Sequence, residues 1–197
     1  MQNRKLNFTV RKITPLHTGF LNINRYDVEV ERHDGGTLTL SREVMERGHA
    51  VAVLGYDPSR DEVVLVNEFR PGLLPTEDYP FTENLAAGVI DDGESPIDAA
   101  VREMAEETGL ELREPTIIHP GAYVSSGGTS ERTTIVFGFV DTAAAGGVHG
   151  NPNEQEDILT VVLPAQDFIE RTRRGDITDM KTVVAGYWLA EYRRSRP

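Results

Sequence analysis

The chain has 197 residues, a formal net charge of −12 and no cysteine. That length suits one domain, or a core domain with a small appendage, and the missing cysteines exclude disulfides, thiolate zinc sites and a cysteine nucleophile. The acidic balance argues against RNA or DNA as a partner, since a polyanion would meet a basic surface. A small anionic substrate stays compatible if metal ions and a few arginines act locally. No apolar run approaches the roughly 18 residues of a membrane span, and the opening MQNRKLNFTV lacks the apolar core of a signal peptide. A reducing cytoplasm is the expected compartment. His17, His33, His49, His119 and His149 show no metal-ligand spacing such as H-E-x-x-H and receive no catalytic role.

Residues 6–46 read as strands, alternating in pattern, with a His33-Asp34-Gly35-Gly36 turn. They form an expected N-terminal β subdomain, residues 1–47, too small to stand alone. The rest, 48–197, is the expected main domain. On residue type alone Phe20 and Arg42 are ordinary core and surface. Residues 49–56 and 62–70 are apolar strands around the turn DPSRD. Arg70 closes the second strand, either solvated or able to make charge-assisted bonds to a phosphate. Residues 70–80 are a proline-punctuated loop. In residues 81–90, the small Ala86, Ala87 and Gly88 let backbone come close to a ligand or metal.

Residues 88–110, GVIDDGESPIDAAVREMAEETGL, hold a helix from about Pro96 to Thr108. Ser95 is its N-cap, Pro96 suits the first position, and Asp98 completes an Asp-type capping box. Gly109 suits the left-handed position that ends it. Ile97, Ala100, Val101 and Met104 recur at helical spacing as the expected buried face. Glu103, Glu106 and Glu107 crowd one face, where each like-charge pair costs roughly 0.2–0.5 kcal/mol. Asp98–Arg102 and Arg102–Glu106 offset part of this. Clustered carboxylate oxygens on a rigid element are what a hard divalent cation takes, and Mg²⁺ leaves room for phosphate oxygens.

Residues 116–124 and 132–140 read as strands. Between them SSGGTSER, 125–132, is either a hairpin turn or a loop whose N–H groups hold phosphate or sugar oxygens. Residues 141–156 form a long loop without period, ending in Glu154 and Glu156. These are either polar loop residues or groups that close over a substrate. A strand at 157–164 follows, then helices over 165–174 and 179–194, the second with Val183, Val184, Tyr187, Trp188 and Tyr192 as expected core. Strands and helices in this order predict an α/β fold, a three-layer α/β/α sandwich around a mixed sheet.

The spacing of Gly88, Glu94, Arg102, Glu103, Glu106, Glu107 and Gly109 resembles the Nudix box, with every specified position filled. The chain is similar to the ADP-ribose pyrophosphatase branch of that family, of the enterobacterial type. The similarity is carried by TGF at 18–20, SREVMERGHA at 41–50, DPSRDEVVLV at 57–66, GGTSER at 127–132 and the residues 149–158. The resemblance implies a Nudix sandwich and Mg²⁺-dependent hydrolysis of ADP-ribose to AMP and ribose 5-phosphate. It implies several Mg²⁺ (or Mn²⁺) ions held by Glu103, Glu107, Glu106, the Ala87 carbonyl and Glu156, with Glu154 as general base. Arg70 would contact the pyrophosphate, and Gly128 and Glu131 the terminal ribose. Phe20 and Arg42 would bind the adenosine half from the partner subunit of a domain-swapped homodimer.

Two positions depart from that branch and bear on substrate preference. Asn84 stands where it often has glutamate, and Ser126 where it tends to have proline. The alternatives are a pyrophosphatase for GDP-mannose or another nucleotide sugar, which GDITDMKTV at 175–183 also resembles, and a non-catalytic nucleotide-sensing Nudix domain.

Overall fold

The computed structural model describes residues 4–195. The chain divides into two compact units, one running up to Gly48 together with Tyr123–Glu131, the other comprising His49–Ala122 and Arg132–Pro197.

The first unit is a three-stranded antiparallel sheet in the order β1 (Phe8–His17), β2 (Asn22–Glu31), β3 (Thr37–Glu46). Gly35 and Gly36, both at positive φ, carry the turn from β2 to β3, braced by a bidentate Arg32–Asp34 pair at 2.8 and 2.7 Å. A single sheet has no second layer to cover it, so Phe8, Val10, Ile13, Leu16 and Leu38 stay exposed. Segment 123–131 joins this sheet through backbone. Met45 N–H donates to Gly128 O (2.9 Å), and Ser130 N–H donates to Met45 O (3.1 Å).

The second unit is built around β4 (Ala50–Asp57), every residue of which is buried. Such a strand reads as a continuous apolar run because both of its faces are covered. One edge of β4 pairs in parallel with β9 (Arg132–Phe139), which leads to the edge strand β8 (Arg113–Tyr123). The other edge forks. Gly55–Asp57 pair with the start of β5 (Glu62–Phe69), while Ala50–Val53 pair with β7 (Ala86–Val89). β6 (Phe81–Asn84) stays with β5, so Leu85 sits at the corner where the chain crosses from one prong to the other. β11 (Ile158–Pro164) and the two-residue β10 (Val148–His149) extend the sheet beyond β5.

Helix α1 (Pro96–Thr108) covers one face over Val51, Val53, Val64, Val66 and Val136. Helices α2 (Ala165–Arg174) and α3 (Met180–Arg194) cover the other, over Leu54, Leu65, Ile135 and Phe137. The three-layer mixed-sheet sandwich expected from the element order is therefore present. Residues 81–90 add two short strands that periodicity did not separate, and the expected long loop at 141–156 contains β10.

Two helix faces differ from expectation. On α1 the buried rows are Ala100–Met104–Thr108 and Ala99–Glu103–Glu107, while Val101 faces outward at 39% exposed. On α3 the buried stripe is Thr182, Ala185, Gly186 and Leu189. Val183, Trp188 and Tyr192 pack at its margin, and Val184 and Tyr187 are exposed. The α3 shift follows from close approach. A Cβ at Gly186 would collide with Oγ1 of Thr172 on α2, so the helices meet at the residue without a side chain. Gly186→Ala is expected to destabilise the protein by about 1–3 kcal/mol, although alanine is the better helix former. Thr172→Ala in the same chain should recover part of that loss. Thermal denaturation of the single and double variants checks it.

Candidate active site

The site begins with the cap of α1. Ser95 Oγ accepts from Asp98 N–H at 3.1 Å. The carboxylate of Asp98 returns to the Ser95 hydroxyl (2.7 Å) rather than to its backbone N–H, a variant of the expected capping box. Gly109, at φ +71°, ends the helix. The ring of His149 lies against it, 2.8 Å from where a Cβ would stand.

Ala100 and Met104 seat the helix on the sheet, and the neighbouring row goes down with them. Glu103 is 8% exposed and Glu107 is 2% exposed. Glu107 Oε2 accepts from Ala87 N–H at 2.9 Å. In an extended strand the N–H and C=O of one residue leave by the same edge, so the Ala87 carbonyl faces the edge that Glu107 occupies. Glu103 lies over Gly88, where any Cβ would overlap its carboxylate. That contact explains a glycine whose φ is ordinary.

Arg102 ties the group together. It grips Glu94 with two bonds of 2.9 Å and donates to Glu103 (2.6 Å), Glu106 (3.3 Å) and Val89 O (3.1 Å). Glu94 in turn accepts from Asp91 N–H at 3.0 Å, closing the loop before the helix. The Arg102 guanidinium holds Glu94 below the usual carboxylate range. Glu106 is the outer member of the acidic group.

Arg70, just past β5, is ion-paired with Glu68. Glu68 faces the same side of β5 as Val64 and Val66, and so faces the α1 layer. The sequence reading missed it, and strand alternation was the signal that could have found it. From β11 Thr160 Oγ1 bonds Glu107 O (3.4 Å), and Gly150 N–H bonds Glu106 O (3.1 Å). Gly150 thus docks the loop, and Thr160 the strand after it, on the last turn of α1. Within it Asn151 N–H donates to Glu156 Oε2 and Asn151 Nδ2 to Glu154 Oε1, both at 2.9 Å. Glu156 lies close enough to raise both Glu68 and Glu103 electrostatically. Glu154 sits exposed on a short 3-10 turn.

Two arginines, Arg70 and Arg102, are thus set against Glu68, Glu94, Glu103, Glu106, Glu107 and Glu156. Burial pushes Glu107 up to about 9, and the charge of Glu68 adds to it. Burial likewise raises Glu103 and Glu68, against the pull of Arg102 and Arg70. Among the described residues, no three His, Asp or Glu side chains stand ready to grip an ion as they are, and Arg102 engages Glu103 and Glu106. The donor set nonetheless fits a hard divalent cation, since its atoms are carboxylate and carbonyl oxygens with too little positive charge nearby.

The remaining predicted residues belong to the first unit. Phe20 is 89% exposed between β1 and β2. Arg42 lies on β3 opposite Tyr26 and donates to Ser41 O at 2.8 Å. Gly128 pairs with Met45, and Glu131 lies 3.3 Å from Arg47. Asn84 is buried on β6, its amide donating to Thr82 O (3.2 Å) and Oγ1 (3.1 Å).

Three comparisons bear on this geometry. The NUDIX domain family model matches residues 46–181. The chain is 37% identical over 175 residues to the ADP-ribose pyrophosphatase of Escherichia coli (strain K12), covering 88% of this chain and 83% of that protein. It is 29% identical over 181 residues to the GDP-mannose pyrophosphatase of Cronobacter sakazakii, covering 91% and 93%. Its fold matches a crystal structure of an ADP compounds hydrolase with a TM-score of 0.74 at 20% identity, over 98% of each chain.

The buried carboxylates set a pH dependence. Folded Glu107 keeps a proton up to about 9 that the unfolded chain releases near 4.5. Its contribution to stability is therefore full below the lower value and lost as pH rises through the higher one. The melting temperature of metal-free protein should fall across that window. Glu107→Gln should flatten the fall, and saturating Mg²⁺ should remove it in the unmutated chain. Thermal melts against pH, with and without Mg²⁺, measure all three.

Proposed function

The chain belongs to the Nudix family of hydrolases, and from that premise we propose that it hydrolyses the pyrophosphate of ADP-ribose to AMP and ribose 5-phosphate, using Mg²⁺ or Mn²⁺. The observation that carries this reading is the buried Glu103–Glu107 pair on the box helix, with Arg102 and Arg70 beside it.

Glu103, Glu106, Glu107, Glu156 and the Ala87 carbonyl would hold the ions. Divalent ions bound there supply neutralising charge to the phosphates and acidify the attacking water. Arg70 would turn from Glu68 to a pyrophosphate oxygen, exchanging an ion pair for a charge-assisted hydrogen bond. Glu154, now bonded to Asn151, would take the proton from water as its oxygen attacks phosphorus. The bridging P–O bond then breaks, and its electron pair leaves with the departing phosphate. Arg102 stays with Glu94 and keeps the helix carboxylates in place. Phe20 and Arg42 for the adenosine half, and Gly128 and Glu131 for the terminal ribose, are assigned by resemblance. Sequestration of the exposed apolar face of the first unit in a domain-swapped homodimer would answer its lack of a covering layer. A cysteine-free chain in which no described helix is long and apolar enough to cross a membrane suits a cytoplasmic enzyme.

A second reading, a GDP-mannose pyrophosphatase, draws on the 29% identity to a relative of that name and on Asn84 and Ser126. Turnover of ADP-ribose, GDP-mannose, ADP-glucose and NADH with Mg²⁺ separates the two. ADP-ribose should have the highest kcat/KM, and a clear preference for GDP-mannose would install the second reading. Glu154→Gln should lower kcat by about 10²–10⁴-fold while leaving Mg²⁺ and substrate binding in place. Near wild-type turnover would remove Glu154 as the base. Light scattering should report twice the chain mass.

A further inference from the structure

The corner between β6 and β7 is held from the far face of the sheet. Thr182, in the first turn of α3, is fully buried. Its hydroxyl accepts from Leu85 N–H at 3.0 Å and donates to Asp179 Oδ2 at 2.6 Å. Asp179 is the N-cap of α3, its carboxylate also accepting from Thr182 N–H (3.0 Å) and Lys181 Nζ (2.8 Å). A hydroxyl has one proton and two lone pairs, so this arrangement uses both of its functions without conflict. Leu85 is itself fully buried, and its N–H is the donor at the point where the chain leaves β5 for β4. Two residues on, Ala87 N–H meets Glu107, and three residues on, Gly88 lies beneath Glu103.

We infer that Thr182, fixed by Asp179, is a positioning residue for the acidic cluster: its bond to Leu85 sets where the Ala87 amide and carbonyl stand relative to Glu107. The inference rests on the reading of that cluster as a cation site, but not on the identity of the substrate. It assigns a role in the site to the start of α3, which packs on the opposite face of the sheet from α1. A buried side chain that bonds only one backbone N–H at a corner transmits its position through two residues of extended chain, which has little freedom to absorb a shift once both prongs are paired.

Thr182→Val keeps the shape and removes the hydroxyl, and Thr182→Ser keeps the hydroxyl and removes a methyl. Two measurements on folded protein test the role, namely amide hydrogen exchange of Leu85 and Ala87 in metal-free protein and Mn²⁺ affinity by titration calorimetry. In Thr182→Val both amides should exchange at least about tenfold faster, and Mn²⁺ should bind about tenfold more weakly. Thr182→Ser should return both within about twofold of the unmutated chain. Faster exchange at Leu85 alone, with Ala87 and Mn²⁺ affinity unchanged, would mean a merely structural bond and overturn the inference. If Thr182→Val does not fold, Asp179→Asn carries the same test. It should weaken Mn²⁺ binding several-fold, and an unchanged affinity would again overturn the role. A protein that turns over neither ADP-ribose nor GDP-mannose, yet shows these shifts, would sink the proposed function and leave this inference standing.

Discussion

The burial of Glu103 and Glu107 against the sheet is the constraint on which the second unit depends. Ionised carboxylates are expensive to remove from water, and nothing in helix propensity puts them there. Ala100 and Met104 bring the helix down, and an adjoining row at i, i+4 spacing cannot avoid following. The protein answers with local positive charge, Arg102 above and Arg70 to the side, and with the Ala87 amide. Burial outweighs these, with the charge of Glu68 adding to it, and pushes Glu107 up to about 9. A site with surplus buried negative charge is poised for cations, and with them for phosphates.

The fork in the sheet is what makes the space. β4 holds β5 at one end and β7 at the other, and β7 presents Ala87 and Gly88 to the helix. The two residues contribute differently there. Gly88 has no room for a Cβ, while Ala87 contributes backbone rather than side chain. Behind the fork α3 anchors Leu85, so both helical layers converge on one corner. The loop carrying Glu154 and Glu156 is fastened through Gly150 to the carbonyl of Glu106, which ties the loop to the same helix that carries the cluster.

The charge of the chain as a whole and the charge of its site serve different ends. A net charge of −12 repels polyanions and keeps the surface hydrated. Within the cluster the same sign would attract divalent cations, and these would reverse the local field. Arg102 is committed to four acceptor residues, on β7, on α1 and in the loop between them, so its part is to order the acidic group. Among the described residues Arg70 is ion-paired with one carboxylate, Glu68, a contact that a phosphate oxygen could replace.

Much of this was legible in the residues. The span of α1, its Ser95 cap and Gly109 stop, the limits of α2, and the three-layer sandwich all follow from periodicity and local chemistry, which depend only on near neighbours in the chain. The spacing of the box likewise pointed to the acidic cluster, because helical geometry fixes how side chains three and four apart relate. Tertiary packing decided the rest. Only the sheet determines which helix face goes down, so Val101 turned outward and Glu103 inward. Glu68 carries no motif and entered the site through strand alternation meeting a particular layer. Gly186 matters because a second helix crosses it, and Thr182 because a corner of the sheet, 97 residues away in sequence, needs an acceptor. Sequence by itself determined the longer elements and the chemistry they carry. The tertiary structure alone decided which of those groups are dry, paired and near one another, since burial and distance belong to contacts between residues far apart in the chain.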